Sequence, residues 1–169
     1  VRPALVRAVA ILALAAILAG LGLWWTSDRR RVLAAFEELQ EQLEKRGPEG
    51  ALDRLSHARA VSELFADGFL ILAQPFEERI DDRQQLMAIV DRYRESAERI
   101  TVSDSDVELT LRANATAELT ATLEAVGVRA DGPGRERLRM RFAWREDGGD
   151  WRIQELELLE VLDSSGLFF

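Results

Sequence analysis

The chain has 169 residues, 47% of them hydrophobic and 31% charged, at a formal net charge of −8; that is room for one ordinary domain plus a short appendage, and too apolar for disorder. Residues 1–31 hold five arginines against one aspartate, so the other 138 residues carry −12 of that charge, and an acidic globe whose arginines are interleaved with carboxylates excludes nucleic acid as a partner. With no cysteine, disulfides, thiolate catalysis and the usual structural zinc sites are excluded together.

From Ala8 to Trp25 the chain runs eighteen residues without a charge, and only Arg7 separates this run from Ala4, Leu5 and Val6. As a helix it is about 27 Å long, close to the roughly 30 Å of a bilayer core. Arg7 can snorkel to the headgroups at one end, and Trp24 and Trp25 supply an aromatic belt at the other. Residues 4–25 are therefore expected to bind membrane lipid as a single transmembrane helix. The competing reading is a cleaved signal peptide, with Arg2 and Arg7 as the positive region and Leu18-Ala19-Gly20 as the cleavage site; the apolar run outlasts a usual signal and continues into bulky tryptophans. A short charged head stays in the cytoplasm, which places the following domain outside, in a bacterial periplasm or its equivalent. The divisions expected are an anchor over residues 1–27, one domain over 28–162 and a tail over 163–169.

Asp28 is expected to cap a helix whose apolar positions Val32, Phe36, Leu39 and Leu43 recur at four, three and four residues. The stripe suits core packing, and also a short coiled-coil seam beside the membrane. Gly47-Pro48 stops it, and Pro48 opens a second helix running to about Ala66, with Leu52, Leu55, Ala58, Val61 and Phe65 inward and Asp67-Gly68 as its end. The continuous apolar run Phe69 to Ala73 predicts a buried strand broken by Gln74-Pro75. A third helix begins near Asp81-Asp82 and carries Leu86, Ile89, Val90, Tyr93 and Ala97 inward.

Every odd position from Val107 to Ala125 is apolar and every even one from Glu108 to Glu124 is polar, the pattern of strands with one dry face. Nineteen residues are too many for one strand, so a turn is predicted over Arg112 to Ala115, where Asn114 accepts unusual backbone angles. After an Asp131-Gly-Pro-Gly134 loop, Leu138, Met140, Phe142 and Trp144 alternate in a further strand, and an Asp147-Gly-Gly149 turn leads to Trp151 and Ile153. The apolar phase then slips to Leu156 and Leu158, which predicts a bulge at Gln154-Glu155 and a bent last strand.

The fold class expected is α+β. The order helix, helix, short strand, helix, meander, with Leu64-Phe-Ala-Asp-Gly68, Gln74-Pro-Phe76, Asp82-Arg-Gln-Gln-Leu86, Asn114-Ala-Thr-Ala117 and Asp150-Trp-Arg-Ile153 in that order, resembles the SnoaL-like branch of the nuclear transport factor 2-like superfamily over about residues 30 to 161. The resemblance implies a cone-like domain of three helices packed on a curved antiparallel sheet, with a pocket between helices and sheet, often dimerised through the sheet. Where an isomerase-like member carries its catalytic acid, this chain has Gln74, whose amide cannot serve as a general base.

No catalytic residue is assigned. The pocket candidates are Gln74, Tyr93, Leu109, Leu111, Met140, Phe142 and Ile153, on a sheet wall that also includes Val107, Leu119 and Leu123. His57 is the single histidine, a poor metal centre without cysteine. Asp104, Asp106 and Glu108, spaced by two on one strand face, and Glu155, Glu157 and Glu160 read as solvated strand edges rather than a cation site. No metal and no cofactor is expected. Asn114-Ala-Thr116 fits the N-glycosylation pattern, which matters only in a eukaryotic secretory lumen. Leu167-Phe168-Phe169 reads as an apolar tail against the domain. The function expected is a membrane-anchored, non-enzymatic accessory or assembly domain that binds a second copy of itself as a homodimer, an envelope protein, or an apolar small molecule. The alternative is an isomerase or dehydratase acting on an apolar carbonyl compound, with Tyr93 as a donor and an acid still to be found.

Overall fold

A computed structural model describes residues 27–73, 78–130 and 132–165. The apolar run of the expected anchor, Gln74 and the Leu167 to Phe169 tail lie outside these residues. Among the described residues no helix is long and apolar enough to cross a membrane.

Residues 27–43 form a helix, α1, that buries Val32, Phe36 and Leu39 as their spacing requires. Asp28 is not its cap. The helix is already running at Ser27, and Asp28 is buried within it, 3.8 Å from Arg31 one turn on. Nor does Gly47-Pro48 end it: the helix stops at residue 43, because Lys45 is drawn into a backbone bridge with Ile100, bonded in both directions at 2.9 and 2.8 Å.

The second helix, α2 (Ala51–Glu63), starts later than Pro48, at N-cap Gly50, whose N–H donates to Asp53 at 3.2 Å. Only its second half is buried, through Ala58, Val61 and Ser62. Leu52 and Leu55, expected inward, are 82% and 50% exposed, because α2 reaches the core only by its last turns. Phe65 and Ala66 are not helical either: β1 (Phe65–Ala73) begins there, with Ile153 N–H donating to Leu64 O at 2.8 Å. Asp67-Gly68 is thus a deformation inside a strand, with Gly68 at φ +71, a conformation that glycine adopts without strain.

A short strand absent from the sequence reading, β2 (Glu78–Ile80), pairs antiparallel with β1. Then α3 (Arg83–Glu95) starts after Asp82, near the expected position, and the Asp82 carboxylate accepts from Gln85 N–H at 2.8 Å as an N-cap. It buries Leu86, Val90 and Tyr93, while Ile89, expected inward, is 39% exposed.

The meander consists of β3 (Arg99–Arg112), β4 (Thr116–Arg129), β5 (Gly132–Asp147) and β6 (Asp150–Ser164). The predicted turn lies between β3 and β4, with Asn114 and Ala115 at φ +59 and +52. β3 begins eight residues before the alternation because a bulge resets its phase: Asp106 stands at φ +54, and the register with β4 skips between Ser105 and Glu108. Asp104 therefore pairs with inward Leu123 while Glu108 pairs with Thr120 on the other face, so the expected acidic row does not share one face. Residues Gly132 to Gly134 are strand rather than loop, since the β4–β5 hairpin is tight and Arg129 pairs with Gly132. Gly148 and Gly149, both at positive φ, close the β5–β6 hairpin.

The sheet order is β2-β1-β6-β5-β4-β3. It is mixed, not purely antiparallel, because α2 delivers β1 beside β6 in the same direction. The β5–β6 register skips Gln154, Leu159 and Leu162; the first is the predicted bulge, and together the three bend β6. β6 runs past residue 162, with Asp163 and Ser164 paired to Arg137 and Glu136, so the expected tail boundary falls inside a strand. The result is an α+β fold of three helices on a curved mixed sheet, its core centred on Phe36, Phe142 and Trp144, with Phe36 edge-on to Phe142 at 5.3 Å.

Candidate ligand cavity

The aromatic centre fills one end of the space between helices and sheet. At the other end a cavity of about 190 Å³ remains, walled by Leu43 of α1, Ile89, Val90 and Tyr93 of α3, Val102 of β3, Leu123 and Ala125 of β4, and Glu136, Leu138 and Met140 of β5. Larger grooves, of about 430, 460 and 260 Å³, are each walled by a mixture of charged, polar and apolar groups. The smaller space is the better ligand site, because apolar walls around few polar groups are what hold and orient a small molecule.

Glu136 is the polar group that sequence reasoning missed. It is fully buried, in period-two phase with Leu138, Met140, Phe142 and Trp144, so its side chain shares the dry face of β5. That phase was readable: a carboxyl in register with four inward apolar residues is the anomaly. Ser164 Oγ donates to Glu136 Oε1 at 3.0 Å, and the next residue ties the strand ends, with Ser165 N–H donating to Arg135 O at 2.8 Å. Tyr93 is 7% exposed. Burial pushes its hydroxyl above the ordinary tyrosine range, Arg94 opposes the shift and Glu44 adds to it, so the phenol remains a neutral donor.

Of the predicted pocket residues, Tyr93 and Met140 meet in this cavity. Phe142 and Ile153 are instead packed in the closed core, and Leu109 and Leu111 lie half-buried against it on β3. The reason is volume: Phe36, Phe142 and Trp144 occupy the space that the sheet wall would otherwise line. His57 Nδ1 is bonded to Gln42 Oε1 at 2.8 Å, and Glu155 and Glu157 are both paired with Arg141. Among the described residues no group of three or more His, Asp or Glu side chains could hold a metal ion.

The family model of the SnoaL-like domain matches residues 31–157. The chain belongs to the SnoaL-like family. Its fold is similar to that of a nuclear transport factor 2-like protein with a cystatin-like fold from Novosphingobium aromaticivorans, at TM-score 0.68 and 16% identity over 89% of this chain and 95% of that one. It is also similar to a protein provisionally named a scytalone dehydratase from the same organism, at TM-score 0.68 and 11% identity, covering 82% and 87%. A third is provisionally named a calcium/calmodulin-dependent protein kinase II association domain, from Xanthomonas campestris, at TM-score 0.61 and 15% identity, covering 76% and 84%. No curated protein matches. At these identities the likeness is one of fold, and SnoaL-like folds host unrelated activities.

Proposed function

We propose that this SnoaL-like domain is a non-enzymatic accessory module that takes up a small apolar molecule beside a membrane, tethered there by residues 4–25. The observation that carries the reading is the apolar cavity of about 190 Å³ at the end of the cone, beyond the filled aromatic core. A cavity of roughly 150 Å³ with aliphatic and aromatic walls stays dry and admits benzene, so a single-ring molecule fits this one. The tether confines the domain to a thin layer, which raises the effective concentration of lipid-dissolved ligands and membrane-bound partners without any new contact.

The test is a thermal melt with toluene. Toluene at saturation raises the melting temperature of the wild type, since it binds only the folded state; Ala125→Phe, which fills the cavity, removes the rise. No rise in the wild type, or an equal one in the variant, rejects the reading.

One observation favours the enzyme alternative, an isomerase or dehydratase of apolar carbonyl compounds: a phenol donor, Tyr93, and an acid, Glu136, line the same cavity, the pair of roles that proton transfer needs. Turnover of such a compound that is lost in both Tyr93→Phe and Glu136→Gln would establish it in place of simple binding.

A further inference from the structure

We propose that the segment after β6 is the cavity's own occupant: Gly166-Leu167-Phe168-Phe169 doubles back over the dry face of the sheet and sets a phenyl ring among the apolar walls, so that a small molecule enters by displacing it, a regulation that rests on the cavity being a ligand site.

The end of β6 is fastened beside the cavity. Ser164 Oγ donates to Glu136 Oε1 at 3.0 Å, Ser165 N–H donates to Arg135 O at 2.8 Å, and Arg135 N–H donates to Ser165 Oγ at 3.0 Å. Glu136 is part of the cavity wall, so the chain leaves the sheet next to that wall. The four residues from Gly166 to Phe169 carry no charge, and three of them are large and apolar. Extended, they reach roughly 14 Å, enough to return across the strands they leave.

Two faces of the sheet lie within that reach, and their chemistry differs. The outer face presents Arg135, Arg137 and Glu124, with Arg135 paired to Glu124 at 2.7 Å; an apolar side chain laid there would strip water from charges. On the dry face, the period-two phase of Leu138 and Glu136 continues to Gly134, whose partner on β4 is Gly127, with Ala125 next toward the cavity. Both glycines are buried. This end of the sheet is therefore a trough without tall side chains, running from the end of β6 to the cavity. There Leu43, Ile89, Val90 and Met140 border a space of about 190 Å³, somewhat above the roughly 150 Å³ that admits benzene, and so sized for one phenyl ring. Placing the ring there removes apolar area from water, and the short connection holds it at high local concentration.

The chain has two methionines; Met140 lines the cavity, while Met87 packs elsewhere against the core. In the full chain with methyl-labelled methionine, the Met140 methyl should show a nuclear Overhauser contact to the ring of Phe168 or Phe169. Phe168→Ser combined with Phe169→Ser should shift the Met140 resonance and leave Met87 in place. Toluene should then move Met140 at about tenfold lower concentration than in the wild type, the factor by which an internal occupant filling about nine-tenths of the molecules weakens a competitor. A Met140 methyl indifferent to the substitutions, or equal toluene midpoints in the two chains, would overturn the proposal. If toluene moves Met140 with equal midpoints, only the occupant fails; if toluene moves it in neither chain, the ligand-site reading falls, and the Overhauser contact alone decides whether the tail fills the space. A wild-type midpoint that changes with protein concentration gives the ring to a second copy and overturns the intramolecular form. Should the double variant fail to fold, the wild type still decides: saturating toluene should erase the ring contact, and its persistence refutes displacement.

Discussion

Tyr93 is the chain's one tyrosine, so its ionisation can be followed without a competing signal. Burial raises the hydroxyl above the ordinary value of 10.0, Arg94 pulling the other way and Glu44 reinforcing it. The folded protein therefore holds this proton at a pH where the unfolded chain has released it. The Tyr93 contribution is intact below pH 10 and is lost as pH rises above it toward the folded value. The native protein should show no phenolate absorbance at about pH 11, where a free tyrosine is mostly ionised, and the band should appear only together with unfolding. A phenolate signal growing in at the free-tyrosine value, with native circular dichroism intact, would mean the ring is not enclosed. Glu136 teaches the complementary lesson: its phase was written in the sequence, but the cavity that makes the phase matter exists only where α3 and the β4–β5 hairpin converge.

Among the elements, α3 is held by polar contacts that no periodicity announces. The fully buried Arg94 guanidinium bonds the backbone at the end of α1 through Gln42 O and Glu44 O, at 2.5 and 2.8 Å, and pairs with Glu49 ahead of α2. Lys45 in turn caps the C-terminal end of α3 through the carbonyls of Arg94 and Ala97, where a cation complements the helix dipole. Removing one member of a buried ion pair strands the other, at about 3–5 kcal/mol. Glu49→Gln should therefore destabilise the domain by about 3 kcal/mol in urea titration, and Arg94→Met combined with it should lose less than the two single losses added together. A single-variant loss below about 1 kcal/mol would demote the cluster to the rank of an exposed pair. Bulges are the second device of this scale. Asp106 in β3 and Gln154, Leu159 and Leu162 in β6 each displace one residue; only the Gln154 bulge left a phase slip clear enough to read beforehand.

For the molecule as a whole, α1 closes the core: Val32, Phe36 and Leu39 are buried, and Phe36 meets Phe142. Burying three such side chains contributes roughly 6 kcal/mol, comparable to the entire stability of an ordinary domain. A fragment of residues 44–169 should therefore be unfolded by circular dichroism, while residues 27–169 should melt within a few degrees of the full chain. A folded 44–169 fragment would show that the core closes without α1. The outer face of the sheet carries Arg135, Arg137, Arg139, Arg141 and Arg145 in one row on β5, flanked by Glu118 and Glu124 on β4 and by Glu155, Glu157, Glu160 and Asp163 on β6. A second copy docking there would meet alternating charge instead of an apolar patch.

What the sequence determined by itself is local and periodic: the inward face of α1, that of α3 apart from Ile89, the start of α3 near Asp82, the β3–β4 and β5–β6 turns, the alternating meander and the slip at Gln154. Such features follow from the spacing of apolar residues and from backbone preferences within a few positions. Tertiary structure alone decided that Phe65 and Ala66 pair with β6, that Leu52 and Leu55 face water, that the aromatic side chains fill the centre of the cone, and that Glu136 borders the space left over. Each of these depends on which distant segments compete for the same volume and the same backbone hydrogen bonds, and that competition is settled only when all the layers close together.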